Sequence, residues 1–273
     1  MTSNLLGEEI EDILRQSIEE AGEELLFVDP SAAAVEALVE LGVGFDGELP
    51  TVKLLADERM LKDVMDDFLV ASNAADLVEA GTLELRNLGA DTDNALLITD
   101  DRTVAVVSAG DAVAGLATDD AAFVELAHAD YSERFDAAET FNLRTPAISR
   151  IRETMAADIG EQAREDFDAV LDSLETARGD GDGLDEVTIS LLVAAKNDVL
   201  LYDISKWGED VGIASKATFS RTKTRLEELG LIDTEKVPID VGRPRLRLKL
   251  GDDQLRGADA GEFASIAQSM IDA

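Results

Sequence analysis

Between residues 215 and 249 the sequence gathers side chains of types that can bind phosphate and hydrogen-bond to base edges. Ser215, Lys216, Ala217, Thr218, Ser220, Arg221, Lys223, Thr224 and Arg225 lie within one short segment, and Arg243, Arg245, Arg247 and Lys249 follow at alternate positions. Lys and Arg neutralise phosphate, and the fork of Arg matches the two acceptors of guanine in the major groove. On a helix, Phe219, Thr222, Leu226 and Leu229 share one face. The opposite face carries Ala217, Ser220, Arg221, Thr224 and Glu228, with Lys216, Lys223 and Arg225 at the borders. A helix that is apolar inside, with small polar residues and Arg outside, suits a major groove. A plain surface helix with a few basic residues is the competing reading.

The surrounding sequence supplies the elements that would position such a helix. Residues 185–201 read as an apolar helix and 204–211 as a short second one. Gly212-Ile213-Ala214 makes a tight turn, Ser215 is a good N-cap for a helix over 216–229, and Gly230 follows as its stop. Helix, short helix, turn and helix is the grammar of a helix-turn-helix. After Leu231-Ile232, Arg245, Arg247 and Lys249 alternate with Leu246, Leu248 and Leu250, which predicts a half-buried strand with a basic exposed face. Asp240 to Pro244 is a turn before it, so the pair reads as a β-wing with Arg243 at its tip. A winged helix-turn-helix domain is therefore expected over 184–251.

Charge separates this segment from the rest. The 273 residues carry 24 Lys and Arg against 59 Asp and Glu, a net of −35. From Lys206 to Lys249 there are ten basic residues against seven acidic, a net of +3, which leaves −38 on the remainder. Acidic groups facing DNA would repel it, so their local scarcity points to double-stranded DNA as partner. The acids elsewhere are spread along the chain, and 45% of residues are hydrophobic, which argues against both an acidic tail and disorder. Near molar salt the Debye length is about 3 Å, and a carboxylate-covered surface then stays soluble. The composition thus predicts a protein adapted to a cytosol near molar salt, that of a halophile.

Other chemistry finds little support. There is no Cys, and His128 is the only histidine, so thiolate and His-based metal sites are excluded. His128 sits among Phe123, Val124 and Leu126 and is expected to be structural. Gly42 to Gly47 matches a dinucleotide pattern in spacing, but it follows a helix and precedes a strand, the reverse of what that site needs. Asp180 to Glu186 begins like a calcium loop, yet Leu184 occupies a ligand position. No nucleophile and base are paired, so neither an enzyme nor a cofactor is expected. The acidic start and the lack of a long apolar run predict a cytoplasmic protein with no membrane contact.

The first 143 residues read as a three-layer α/β domain. Helices are expected over 4–21, from Asp29-Pro30 to Leu41, over 58–79 and over 119–138, with strands at 25–28, 52–56, 82–87, 95–99 and 103–107. The last two strands flank a hairpin turn at Asp100 to Arg102. This domain would dimerise or sense a small-molecule effector, with Asp29, Asp57 and Arg102 near the carboxyl ends of strands. Residues 144–183 read as a long linker helix over 145–177 that joins two copies, followed by a glycine-rich flexible joint; 252–273 is a helical tail.

Four stretches resemble an archaeal winged helix-turn-helix regulator: Ile-Ser-Lys-Trp at 204–207, Ser-Lys-Ala-Thr-Phe-Ser-Arg at 215–221, Arg-Leu-Glu-Glu-Leu-Gly-Leu-Ile at 225–232, and Gly-Arg-Pro-Arg-Leu-Arg-Leu at 242–248. The whole chain resembles the haloarchaeal TbsP-type transcription regulators, which are linked to the TrmB-type regulators of sugar metabolism. The resemblance implies a homodimeric regulator of central carbon metabolism genes. TrmB-type proteins carry a separate C-terminal sugar-binding domain, whereas here about 22 residues follow the wing. The competing functional readings are an α/β enzyme and an adaptor whose winged helix makes protein contacts.

Overall fold

A computed structural model describes residues 5–7, 9–45, 47–89, 92, 94–110, 112–174, 177, 184–238 and 244–272. They divide into two compact units, 1–65 with 73–143, and 66–72 with 144–273.

The first unit is built on a mixed seven-stranded sheet. Its elements are β1 (Leu5–Gly7), α1 (Ile10–Glu20), β2 (Glu24–Val28), α2 (Ala32–Val43), β3 (Thr51–Ala56), α3 (Glu58–Val64), the part of α4 (Phe68–Glu79) from residue 73 onward, β4 (Leu83–Asn87), β5 (Ala95–Ile98), β6 (Thr103–Ala109), β7 (Ala112–Thr118) and α5 (Ala121–Ala137). The spatial order is β1-β7-β6-β5-β2-β3-β4. β2, β3 and β4 run parallel, and β5, β6, β7 and β1 add antiparallel pairings.

Leu25, Leu26, Phe27 and Val28 are all fully buried, which requires cover on both faces of β2. On one face, Ala127 and Phe135 of α5 pack with Leu26, Val28, Leu55 and Ile98. On the other, Ile18, Leu38 and Leu77 of α1, α2 and α4 converge on Val52 and Leu83. There α2 comes so close to α4 that a Cβ on Gly42 would lie 2.9 Å from the Leu77 side chain. The expected three layers are present.

Several local expectations are corrected. Residues 5–7 belong to a strand and not to the first helix, and β7 adds a strand that its Ala- and Gly-rich sequence conceals. The cap of α2 is Ser31, which accepts from the Ala34 N–H at 3.3 Å. Asp29 does not cap it. Its N–H donates to Leu55 O at 2.8 Å, and it turns the chain with a φ of +49°. Arg102 lies at the opposite end of the sheet from Asp29 and Asp57. β5 runs antiparallel to β2, with Ile98 opposite Leu26 and Leu96 opposite Val28, so the β5–β6 turn sits beyond the amino end of β2. There Arg102 pairs with Glu20.

The second unit contains α6 (Ile148–Asp158), α7 (Glu161–Asp172), α8 (Glu186–Lys196), α9 (Leu201–Val211), α10 (Lys216–Glu228), β8 (Ile232–Val237), β9 (Arg245–Leu250), α11 (Asp253–Gly257) and α12 (Ala260–Ile271). The stretch expected as one long linker helix is two helices, broken at Gly160 with a φ of +138°. Neither stands apart. Ile151, Met155, Phe167 and Leu171 share one buried core with Leu191, Trp207, Phe219, Leu248 and Phe263. Trp207 Nε1 donates to Thr154 Oγ1 at 3.0 Å, and Asp166 pairs with Lys196 at 2.9 Å. The apolar stripe meant to meet a second copy is thus consumed inside one chain. The glycine-rich joint at 179–183 lies outside the described residues.

Candidate nucleic-acid interface

α8, α9 and α10 form the helix-turn-helix, and their packing follows from two glycines and a serine. Gly212 ends α9 with a φ of +98°, a conformation that glycine adopts without strain. Ser215 caps α10, accepting from the Thr218 N–H at 3.2 Å. Gly208 marks the crossing of α9 and α10, where a Cβ would stand 2.3 Å from the Phe219 ring. With Phe219 and Leu226 buried, α10 is fixed on its inner side.

The outer side of α10 is the one expected from the sequence. Ser215, Lys216, Ala217, Ser220, Arg221, Thr224 and Arg225 are exposed, and Thr218 is half-buried. Arg221 Nη2 donates to Thr218 Oγ1 at 3.3 Å. Among the described residues no carboxylate pairs with Arg221 or Arg225, so both cations are available to a ligand.

Lys223 is different. It is buried, and its Nζ lies 2.7 Å from Glu227. Glu227 also accepts from Thr234 Oγ1 of β8 at 2.9 Å. Lys223 therefore ties α10 to the hairpin, and its charge is spent inside the fold.

The wing strand also departs from expectation. β9 pairs antiparallel with β8, and it has a second neighbour: Leu248 N donates to Val199 O at 2.9 Å, and Leu200 bridges to Arg247. Arg245, Arg247 and Lys249 are consequently only half exposed. Arg245 lies 4.3 Å over the Tyr202 ring and 3.4 Å from Asp203, and Lys249 is 2.6 Å from Asp198. Glu235 stands opposite Arg247 in the ladder. The wholly basic exposed face is replaced by a row of cations with acidic neighbours. Arg243 at the wing tip lies outside the described residues.

Acidic partners reach α10 and α9 as well. Glu209 accepts from Lys216 Nζ at 2.6 Å and from its backbone N–H at 3.3 Å, and Lys206 pairs with Asp210. Hydrogen bonding to Lys216 holds the Glu209 carboxyl below its usual range and raises the Lys216 ammonium. Asp198, Asp203 and Glu209 were not singled out from sequence, because Asp and Glu are too common in this chain to stand out. The spacing of seven between Glu209 and Lys216, across a tight turn, is the trace they leave.

Outside this unit, a cavity of about 670 Å³ opens beside the carboxyl ends of β3 and β4, lined by Leu55, Glu58, Asn87 and Arg134 among others. Asp57 adjoins it in sequence, but its side chain is occupied as the cap of α3, accepting from Met60 N–H at 2.9 Å. Asp29 accepts from Thr92 Oγ1 at 2.7 Å. His128 is half-buried and lies 3.5 Å from Ser132 Oγ. No described helix is long and apolar enough to cross a membrane.

Residues 2–146 match the family described as the N-terminal domain of TbsP-like transcriptional regulators, and residues 147–268 match its C-terminal helix-turn-helix domain. The chain belongs to the TbsP-like transcriptional regulators. The junction between the two matches places α6 and α7 with the helix-turn-helix, as their shared core does. No curated protein matches this TbsP-like chain. Among solved structures it is similar to TrmBL2, an archaeal chromatin protein described as showing a novel mode of DNA binding, at 21% identity and a TM-score of 0.36, over 51% of this chain and 54% of that one. It thus spans about half of that protein's length. It is also similar to Nuc, a phospholipase D family member from Salmonella typhimurium, at 12% identity and a TM-score of 0.36, over 52% of this chain and 99% of that one. Both likenesses are too distant to bear on function.

Proposed function

We propose that this TbsP-like chain regulates transcription by binding double-stranded DNA in a sequence-specific way, with α10 in the major groove. One observation carries the reading: the outer face of α10 presents small polar residues around Arg221, which no described carboxylate engages, on a helix locked by its inner face. Ser220, Arg221 and Thr224 would face base edges. Ser215, Lys216, Ala217, Thr218 and Arg225 would lie along the phosphates, with Arg243, Arg245 and Arg247 following the adjacent backbone. Lys223 would support α10 from behind.

Electrostatic attraction from the molecule as a whole is absent, because the net charge is −35. Affinity then rests on a few cations per copy, and a dimer presenting two such faces would double them. The family resemblance directs the reading to central carbon metabolism genes. An effector that modulates binding would enter the cavity at β3 and β4, where open α/β sheets favour ligands.

Mapping bound DNA across the genome in the cell tests the main claim. Arg221→Ala should relax preference at one base position and cost about 1–3 kcal/mol at the selected site. Equal binding by the variant and the parent would remove Arg221 from base reading. The absence of any enriched sequence would end the proposal.

A further inference from the structure

The central sheet is covered unevenly. α5 packs over β2 and β5, burying Ala127 and Phe135 against Leu26, Val28 and Ile98. Leu96 joins the same cluster, and the register places Ala105 opposite Leu96 and Leu116 opposite Ala105. Alternate residues share a face, so Ala105, Val107, Ala114 and Leu116 lie on the α5 side of the sheet. There Val107 is 42% exposed and Leu116 49%, with Ala105 and Ala114 half-buried between them. α5 begins soon after β7 ends, and its first two turns add Phe123 at 51% and Leu126 at 68%.

This ribbon is also poor in charge. Residues 103–118 contain no Lys, Arg or Glu and a single Asp, in a chain of which 30% is charged. Exposed apolar area of this kind marks an interaction site. A basic partner would gain nothing here, since the carboxylates that would attract it lie elsewhere. A second copy of the chain fits better. Two copies repel wherever their acidic surfaces meet, and β6 and β7 themselves carry no carboxylate, with Asp111 between them and Asp119, Asp120 and Glu125 around the start of α5. It is also self-complementary about a twofold axis, because Val107 and Leu116 of one copy can seat over Ala105 and Ala114 of the other.

The size is sufficient. Two seven-residue strands are about 24 Å long, and with α5 the strip is about 20 Å wide, so a dimer would bury about 1,000 Å² in total, the lower bound for a specific interface.

We infer that the β6–β7 face, flanked by the first turns of α5, is the surface through which two copies of this chain associate. The inference rests on the reading that the regulator acts as a dimer, and it moves the junction away from residues 145–177, whose apolar stripe is already buried.

The mass of the full chain in molar KCl, measured by light scattering, tests it. The parent should run at the mass of two copies and Leu116→Asp at that of one, with an unchanged circular dichroism melt. Because the chain has no cysteine, Val107→Cys and Leu116→Cys give an independent readout: a short bismaleimide should link two copies, even if Leu116→Asp fails to fold. A one-copy parent, a folded Leu116→Asp that stays a dimer, or a two-copy parent with neither thiol variant linking would each overturn the assignment. DNA binding is read separately. A one-copy Leu116→Asp that still binds a half-site in an Arg221-dependent way supports the interface and the DNA reading together. A two-copy parent that ignores DNA, with a Leu116→Cys variant that links, supports the interface and ends the DNA reading.

Discussion

Glu209, in the last turn of α9, holds Lys216, the first residue of α10, through both the ammonium at 2.6 Å and the backbone N–H at 3.3 Å. A phosphate bound at the start of α10 would compete for the same ammonium. Glu209→Gln removes the competing charge and keeps an acceptor for the N–H. The variant should bind DNA several-fold more tightly at moderate salt. The slope of log affinity against log salt should steepen by about one, as expected when one more phosphate is neutralised. Titrations at several KCl concentrations check this. Weaker binding with an unchanged slope would mean that the pair positions α10 and does not compete. In the parent, the lowered Glu209 pKa keeps the pair intact at neutral pH, and it breaks only as pH falls through that lowered value.

Lys223 makes the contrasting case. Read from sequence it is a border cation on a DNA-facing helix; in the fold it is buried against Glu227. Lys223→Ala should cost about 1–3 kcal/mol of stability, the usual loss when a hydrogen bond to a charged group is removed and its partner stays behind. Lys223→Met, combined with Glu227→Gln, should recover part of it. Neither should change the salt slope of DNA binding below the unfolding temperature. A reduced slope in the folded Lys223→Met chain would put Lys223 back among the phosphate contacts.

Helix α10 was legible because several local signals agree. Ser215 caps it, Phe219 and Leu226 mark its inner face, and Gly230 follows its end. Lys223 was not, because a charged residue reads as surface until the hairpin brings Thr234 to Glu227. β7 was hidden for a different reason. Its alanines and glycine carry little strand signal, and one of its two partners, β1, lies more than a hundred residues away in sequence. Asp29-Pro30 looked like a helix start, but the ladder to Leu55 continues one residue past β2, and the cap falls on Ser31. The α6–α7 stretch showed its apolar stripe correctly and its partner wrongly: periodicity says that a face is buried and not against what.

A pH-dependent test is available at Glu186, in the first turn of α8. Burial pushes its carboxyl above the usual range. The folded state therefore disfavours the ionised form. The side chain costs nothing below its unfolded pKa, and stability is lost as pH rises through the raised folded value. Glu186→Gln should accordingly melt at a higher temperature than the parent at neutral pH, and the two curves should converge in acid below the ordinary carboxylate range. Thermal melts across that range decide it. A constant difference at all pH values would assign the effect to packing and not to charge.

Gly208 sets the distance between α9 and α10. A Cβ there would lie 2.3 Å from two carbons of the Phe219 ring, and Phe219 is fully buried, so the ring has nowhere to move. Gly208→Ala should therefore force the helices apart and cost about 1–3 kcal/mol, the usual range for overpacking a core. If α10 is the reading helix, its displacement should also weaken specific DNA binding at temperatures where the chain remains folded. Phe219→Leu in the same chain removes the clashing ring carbons and should restore part of both stability and binding. Unchanged melting of Gly208→Ala would show that the crossing is looser than its geometry states. Restored stability without restored binding would show that Phe219 also sets the angle of α10.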